Sequence, residues 1–132
     1  MGELVERAVA ELWWRVNSEL PSELSRTAAS LLRQLSEKGP QRVTALADRE
    51  QVAQPTMSMI IKRLGARGLV ERRPDPEDRR ATLVAITPLG AETLRERAQL
   101  RSSWFASRLA DLDAADRRAL TDAVDKLMST FR

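Results

Sequence analysis

The segment from Pro55 to Pro88 constrains the fold of this chain more than any other part of it. It opens with apolar residues at helical spacing and reaches Gly68, a residue type that commonly ends helices. Two short β-prone segments follow at 69–73 and 82–86, separated by a loop of Pro, Asp, Glu and Arg, and a Thr-Pro pair then marks a new helix. A helix followed directly by a basic hairpin is typical of the recognition end of a winged helix-turn-helix, so the segment predicts that fold.

Apolar residues at three- and four-residue spacing predict helices before this segment as well. The first helix carries its apolar residues from Leu4 to Val16 and is broken by the run Glu19 to Ser22. A second helix is expected from about Ser25 and is stopped by a Gly-Pro pair at 39–40. A short third helix is expected to begin with Thr44 as its N-cap, because a threonine hydroxyl can satisfy a free amide of the first turn.

Two helices are predicted after the hairpin, a long one ending near residue 110 and a last one capped by Asp113. The predicted fold is therefore mainly α with a small β-hairpin wing. We assign residues 21–87 to the winged helix-turn-helix, and residues 1–20 with 88–132 to a helical dimerisation region. The terminal helices carry more apolar residues than a single small winged helix-turn-helix can cover. This surplus indicates that they pack against a partner.

The residue types that are absent exclude several classes of function. The 132 residues include no Cys and no His, which excludes disulfides, thiol redox sensing, Cys/His metal sites and His-dependent acid–base catalysis. An all-carboxylate metal site stays open without a clustered motif to support it, and we expect no cofactor. The N-terminus is acidic where a signal peptide needs positive charge, and no apolar run approaches the ~20 residues that span a bilayer. We expect a cytoplasmic protein with no membrane contact.

The positive charge is concentrated in the predicted winged helix-turn-helix. The formal net charge is +3, and the range from Gln41 to Arg80 holds nine Lys or Arg against six Asp or Glu, so the charges elsewhere cancel. A localised basic patch is the electrostatic pattern expected of a module that binds double-stranded DNA. Charge placement alone leaves chance clustering as the alternative.

This region resembles the MarR-type bacterial transcription regulators in three motifs, the loop PDPEDRR, the preceding RLGARGLVERR and the following TLVAITPLG. The resemblance implies a homodimer that binds a palindromic operator in double-stranded DNA, and we expect a repressor that a small-molecule effector releases. The alternative is a winged-helix module that binds another protein and reads no DNA sequence. We expect no enzyme, because the chain also lacks a Gly-rich phosphate loop and paired catalytic carboxylates.

The resemblance implies a minor-groove contact from the wing. Arg80, with Asp78 two residues before it, matches the Asp-x-Arg pattern in which the arginine enters the groove and the aspartate holds the hairpin. A guanidinium suits a narrow groove with strong negative potential. Arg79 is a second candidate at the tip. The neighbouring charges are expected to touch phosphates or to pair among themselves, Arg72 and Arg73 with Glu71, Asp75 and Glu77.

The resemblance also implies base and phosphate contacts from the second helix of the helix-turn-helix. Glutamine can pair with adenine, and the carbons of Met, Thr or Pro can pack on a thymine methyl, which favours an A·T-bearing half-site. Ordinary solvation of a helix surface is the alternative. The candidates on this helix are Gln54, Pro55, Thr56, Ser58, Met59, Lys62 and Arg63. Three hydroxyls near helix starts could bond phosphates or simply cap their helices, those of Ser25, Thr27 and Thr44.

In MarR-like proteins the terminal helices form the dimer interface, and a small-molecule pocket lies between these helices and the winged helix-turn-helix. The interface candidates are Leu12, Trp13, Val16, Leu120, Val124, Leu127 and Phe131, and their alternative is the core of a monomer. Aromatic side chains are the candidates for an effector contact, with ordinary core packing as the alternative. They are Trp13, Trp14, Trp104 and Phe105.

Overall fold

The computed structural model describes residues 1–21 and 23–132, so Ser22, the end of the predicted break, lies outside the described residues. The described residues form six helices and three strands in the order α1 Gly2–Glu19, α2 Arg26–Lys38, β1 Gln41–Arg42, α3 Val43–Glu50, α4 Gln54–Ala66, β2 Val70–Pro74, β3 Thr82–Ile86, α5 Pro88–Leu109 and α6 Ala114–Ser129. The chain divides into two compact units. We call Pro21–Ala98 the head and Met1–Leu20 with Gln99–Arg132 the helical unit.

The head is built around α2, whose bounds follow from its caps. Ser25 Oγ accepts a hydrogen bond from the amide of Ala28 at 3.1 Å, and Gly39 ends the helix with a φ of 81°, as the sequence predicted. The inner face of α2 is buried against residues of α3, α4 and the sheet. This core contains Leu31, Leu32, Leu35, Leu46, Met57, Ile61, Leu64 and Val84.

The small sheet has one more strand than the sequence predicted. β2 and β3 form the expected antiparallel hairpin, and β1 pairs antiparallel with the other edge of β3, which gives the order β1-β3-β2. β1 has only two residues, too few to show an alternating pattern. The predicted start of the third helix is also wrong, because α3 begins at Val43 with Arg42 in the N-cap position and Thr44 already inside its first turn.

α4 follows α3 after a tight turn and is the second helix of the helix-turn-helix. Its N-cap is Ala53, so Pro55 lies at the second helical position, one later than predicted. Its buried stripe consists of Met57, Ile61 and Leu64. The helix ends in a Schellman motif, in which Gly68 has a φ of 75° and the amide of the next residue bonds to Leu64 O at 3.0 Å. The predicted glycine termination is confirmed.

The start of α5 is fixed to the end of α4 by Thr87, in agreement with the predicted Thr-Pro helix start. The Thr87 hydroxyl accepts from the amide of Gly90 at 3.0 Å and donates to Gly68 O at 2.6 Å. Gly90 is buried at the point where α5 crosses the chain leading into β2. A Cβ on Gly90 would lie 2.2 Å from Leu69 O, so the two backbones approach closely only because no side chain separates them.

In the helical unit, α1 is joined to the second half of α5 by polar contacts. Glu19 accepts from Trp104 Nε1 at 2.5 Å and from Arg108 at 3.1 Å, and these donors, Trp104 above all, hold the pKa of Glu19 below its ordinary value. Asp113 caps α6 as predicted, accepting from Asp116 N at 2.8 Å. No helix of the described residues is long and apolar enough to cross a membrane.

Candidate nucleic-acid interface

α4 presents a face of polar and cationic side chains opposite its buried stripe. Gln54, Pro55 and Thr56 are exposed at its first turn, and Lys62 and Arg63 are exposed near its end. Ser58 is half-buried between them. Met59 keeps 55% of its surface exposed, so its apolar side chain is available for contact with a base methyl.

The first backbone amides of α4 have no side-chain hydrogen-bond acceptor within the described part of the chain. The free amides at a helix start carry partial positive charge, which favours a nearby phosphate oxygen. The turn that precedes α4 therefore leaves donors available where the polar face begins.

β2 lies beside this face of α4, so the helix and the hairpin share one surface. A cleft of about 470 Å³ is lined by Ser58, Met59 and Lys62 of α4 and by Glu71 and Arg72 of β2. The structure thus brings Ser58 and Met59, two of the predicted base-reading residues, together with the base of the wing, whereas Gln54, Pro55 and Thr56 do not line this cleft. Arg73 pairs with Glu71 at 2.7 Å, as expected, and Arg72 projects exposed beside the cleft.

The loop between β2 and β3 presents both tip arginines to solvent. Asp78 Oδ1 accepts from the amide of Arg80 at 3.0 Å, and Asp78 O accepts from the amide of Ala81 at 3.0 Å. These bonds form a tight turn that projects Arg79 and Arg80 outward. Neither guanidinium has an ion-pair partner among the residues that the structure describes. Two unneutralised cations at a protruding tip are suited to a polyanion.

Sequence reasoning missed the best-buried charge of the head. Asp75 is 5% exposed, and its Oδ2 accepts from two nitrogens of Arg42, Nε at 2.8 Å and Nη2 at 2.7 Å. It does not pair with Arg72 or Arg73, because the side chain turns toward β1. The backbone amide of Glu77 and the Arg42 guanidinium hold the pKa of Asp75 below its ordinary value. The partner lies 33 residues away on an unpredicted strand, so no local signal could identify it.

The three candidate hydroxyls occupy different environments. Ser25 caps α2, the capping role that the sequence left as an alternative, while its side chain also lines a second cleft of about 480 Å³ together with Arg63 of α4. Thr27 is half-buried in the first turn of α2, and Thr44 is exposed in the first turn of α3. Ser25 and Arg63 are thus brought together, on the side of α4 away from β2.

Six of the seven interface candidates are exposed, and the seventh is not. Val16 is 0% exposed within one chain, so it belongs to the interior of that chain and offers no surface to a partner. Every residue of α6 is exposed. Three of its apolar side chains, Leu120, Val124 and Leu127, lie at i, i+4 and i+7 and form a stripe that is 44–53% exposed. Phe131, beyond the end of the helix at Ser129, extends the stripe and is 76% exposed.

Among the described residues, only two of the four aromatic candidates make a ring contact with each other. Trp104 and Phe105 make an edge-to-face contact with ring centroids 5.0 Å apart, and Arg108 lies over the Trp104 ring at 5.2 Å. Trp13 instead lies under Arg101 at 6.0 Å, and Trp14 is largely exposed.

Known proteins share both this sequence and this architecture. The model of the MarR family matches residues 24–82. An uncharacterised helix-turn-helix transcriptional regulator of Mycobacterium bovis is 36% identical over 113 residues, which cover 86% of this chain and 78% of that protein. A helix-turn-helix transcriptional repressor of Pseudomonas putida is 31% identical over 96 residues, covering 73% and 61%. The crystal structure of a transcriptional regulator from Thermotoga maritima superposes with a TM-score of 0.87 at 26% identity, covering 97% and 94%.

Proposed function

Because this chain belongs to the MarR family of helix-turn-helix transcriptional regulators, we propose that it is a homodimeric cytoplasmic repressor released by a small-molecule effector. Its target is a palindromic operator in double-stranded DNA. The observation that carries the proposal is the combination of an exposed polar face on α4 with a wing whose tip arginines lack intramolecular partners. Repression takes support from the Pseudomonas putida relative, which is named a repressor.

In this proposal α4 enters the major groove. Gln54, Pro55, Thr56, Ser58 and Met59 approach base edges, and the open amides of the first turn face a phosphate. Lys62 and Arg63 contact the backbone, as do the hydroxyls at the helix starts, Ser25, Thr27 and Thr44. The wing reaches the adjacent minor groove with Arg80 and Arg79, while Asp78 keeps the turn in shape.

Replacing Arg80 with alanine is expected to weaken binding to the operator by roughly tenfold to a hundredfold, because a minor-groove arginine is worth about 1–3 kcal/mol. The dimer and the thermal stability should be unchanged, since the side chain is exposed and unpaired. Fluorescence anisotropy with a labelled duplex measures the change. Arg118→Ala removes the same charge from α6 and should leave binding unaltered. Equal affinity of Arg80→Ala and the unmodified protein would contradict the wing assignment.

Replacing Gln54 or Thr56 with alanine is expected to change which sequence is preferred more than the affinity for random DNA. Their side chains are exposed at the start of α4, so their loss removes base contacts without disturbing the core. Lys62→Ala provides the contrast, because losing a phosphate contact weakens all duplexes alike and lowers the salt slope by about 1. Titrations against the preferred and a shuffled duplex separate the two outcomes. Parallel losses on both duplexes for Gln54→Ala would argue against base reading.

Dimerisation is supported by the apolar surface of the helical unit. Besides the α6 stripe, Leu12 and Trp13 of α1 are exposed, and a monomer rarely leaves so many large apolar side chains in water. Two symmetric heads also suit a palindromic site, since a single head contacts too few base pairs for genomic specificity. The effector contacts are proposed for the aromatic side chains of the helical unit, Trp13, Trp14, Trp104 and Phe105.

In vitro selection of bound duplexes from a random pool tests the central claim. We expect enriched sites with two-fold symmetry, A·T pairs in each half and binding that weakens steeply as salt rises. Enrichment of no common sequence, with affinity insensitive to salt, would instead support a winged-helix module that binds protein.

A further inference from the structure

The ion pair between the half-exposed Arg42 and the buried Asp75 makes none of the DNA contacts proposed above. We infer that it is a positioning device, which fixes the angle at which the wing leaves the head so that Arg79 and Arg80 reach the duplex in register with α4. The inference rests on the proposed DNA binding and names two residues that determine its specificity without touching DNA.

Asp75 is the first residue after β2, where the wing loop begins. Both of its carboxylate oxygens and its backbone amide make hydrogen bonds. Oδ2 accepts from Arg42, Oδ1 accepts from the amide of Glu77 at 2.9 Å, and the Asp75 amide donates to Ala81 O at 3.2 Å. The residue therefore joins the two ends of the loop through its backbone amide and links the loop to β1 through its side chain. A carboxylate this buried is stable only with such partners.

The position of Arg42 connects the wing to the helix-turn-helix. It is the last residue of β1 and the N-cap of α3, the first helix of the helix-turn-helix. β1 contributes only two paired residues, with Arg42 opposite Leu83, so its backbone pairing is a weak restraint on its own. Two guanidinium nitrogens on one carboxylate oxygen add the directional restraint that such a short strand lacks.

The loop beyond the ion pair is stiff enough to carry this orientation to the tip. Prolines stand on both sides of Asp75, at Pro74 and Pro76, and each fixes its own φ and restricts the residue before it. Asp78 then shapes the turn at Arg80 through the amide bond described above. Asp78 thus sets the local shape of the tip, whereas Asp75 sets the direction in which the whole loop projects.

The lowered pKa of Asp75 keeps its carboxylate ionised at neutral pH, so the charge that pairs with Arg42 is in place there. The pKa of Asp75 is held below its ordinary 3.8 by the Glu77 amide and by Arg42. The contribution of the carboxylate is therefore complete above that ordinary value and is lost only as the pH falls through the lower value of the folded state. At neutral pH the wing is held in place before DNA arrives, which avoids the cost of ordering it on binding.

The substitution Asp75→Asn tests the inference, with Glu92→Gln as a matched control. Each variant replaces one carboxylate of the head by its amide and removes the charge partner of one arginine, so the change in net charge is identical. The Glu92 pair with Arg95 is half exposed and lies within α5, which carries none of the proposed DNA contacts, whereas the Asp75 pair links two elements. Asp75→Asn is expected to lose about tenfold in affinity for the in vitro selected duplex and less for a shuffled one. Glu92→Gln should bind both as the unmodified protein does.

A second comparison distinguishes positioning from a general loss of stability. If Asp75 acts through the tip, Asp75→Asn should cost little once Arg80 is already alanine, because residues that act as a unit are not additive. A merely destabilised protein would lose the same factor in both backgrounds. Circular dichroism melts fix an assay temperature at which every variant is folded. Should Asp75→Asn fail to fold, Arg42→Lys keeps the charge, loses the two-nitrogen contact, and is expected to show the same non-additive loss.

The possible failures are distinguishable. If the unmodified protein selects no duplex, the proposed function is wrong and the ion pair has nothing to position. If it selects a duplex that Asp75→Asn binds equally well, or if the losses from Asp75→Asn and Arg80→Ala simply add, the positioning role is wrong while the proposed function stands.

Discussion

Replacing Leu120 and Leu127 together with glutamate is expected to convert the protein to a monomer and to abolish operator binding. Both side chains lie on the exposed stripe of α6, 44% and 53% exposed in the single chain. Burying a leucine in an interface contributes about 1.5–3 kcal/mol, and a two-fold symmetric interface counts each position twice. Four glutamates in place of four leucines would also bring like charges together without water to screen them.

Sedimentation velocity measures the assembly, and Arg118→Glu is the matched control. That single change alters the net charge by as much as the two Leu→Glu changes, but it lies on the opposite face of α6. The control should remain a dimer, and the double variant should sediment as one chain with unchanged helix content. A double variant that still sedimented as a dimer would show that α6 is not the contact surface.

The loss of DNA binding follows from the loss of the second head. One helix-turn-helix reads a few base pairs, and specific affinity arises when two heads occupy both half-sites at a fixed spacing. The monomer should keep only weak, salt-sensitive binding to any duplex. Full operator affinity in a proven monomer would contradict the proposal of a palindromic target.

Replacing Gly90 with alanine is expected to destabilise the head by about 3 kcal/mol or more, at the upper end of what overpacking costs. The new Cβ would lie 2.2 Å from Leu69 O and 2.7 Å from Ile86 Cγ1, and the first of these is backbone that cannot rotate away. Either α5 or the start of β2 must shift, which also strains the Thr87 hydrogen bonds. Thermal unfolding followed by circular dichroism should show a Tm lower by roughly 10 °C or more.

Gly65→Ala is the matched control for this effect. Gly65 lies inside α4, where the nearest atom to an added Cβ is Val70 O at 3.9 Å, an ordinary contact. Alanine there should stabilise the helix by about 0.5–1 kcal/mol, since glycine is the more costly residue in a helix interior. Similar Tm values for both variants would mean that the close approach at Gly90 is not a real constraint.

The sequence predicted the elements whose ends carry local chemistry. Ser25, Gly68, Thr87 and Asp113 act at the helix ends where they were expected, because capping depends mainly on a few neighbouring residues. Thr44 is the exception, since α3 begins one residue earlier with Arg42 in the N-cap position. The helical spacing of Met57, Ile61 and Leu64 likewise identified the inner face of α4. These local signals predict the winged helix-turn-helix, whereas the MarR family was indicated by the resemblance of three motifs around the hairpin.

What the sequence could not predict depends on contacts between distant residues. β1 exists only because β3 lies beside it, so its two residues carry no periodic signal, and Arg42 could not be matched with Asp75. Val16 shares its spacing with Leu12, and only packing decides that one is buried while the other is exposed. The candidate DNA contacts on α4 and the wing were read from the family motif, and their roles remain predictions.

The exposed apolar stripe of α6 affects how gene control depends on the concentration of this protein. If two copies must meet before an operator can be occupied, the concentration of active dimer at low abundance grows with the square of the amount synthesised. Under the proposed control, a promoter would respond more steeply than in proportion to the regulator's own expression level, because a twofold dilution lowers the dimer concentration about fourfold.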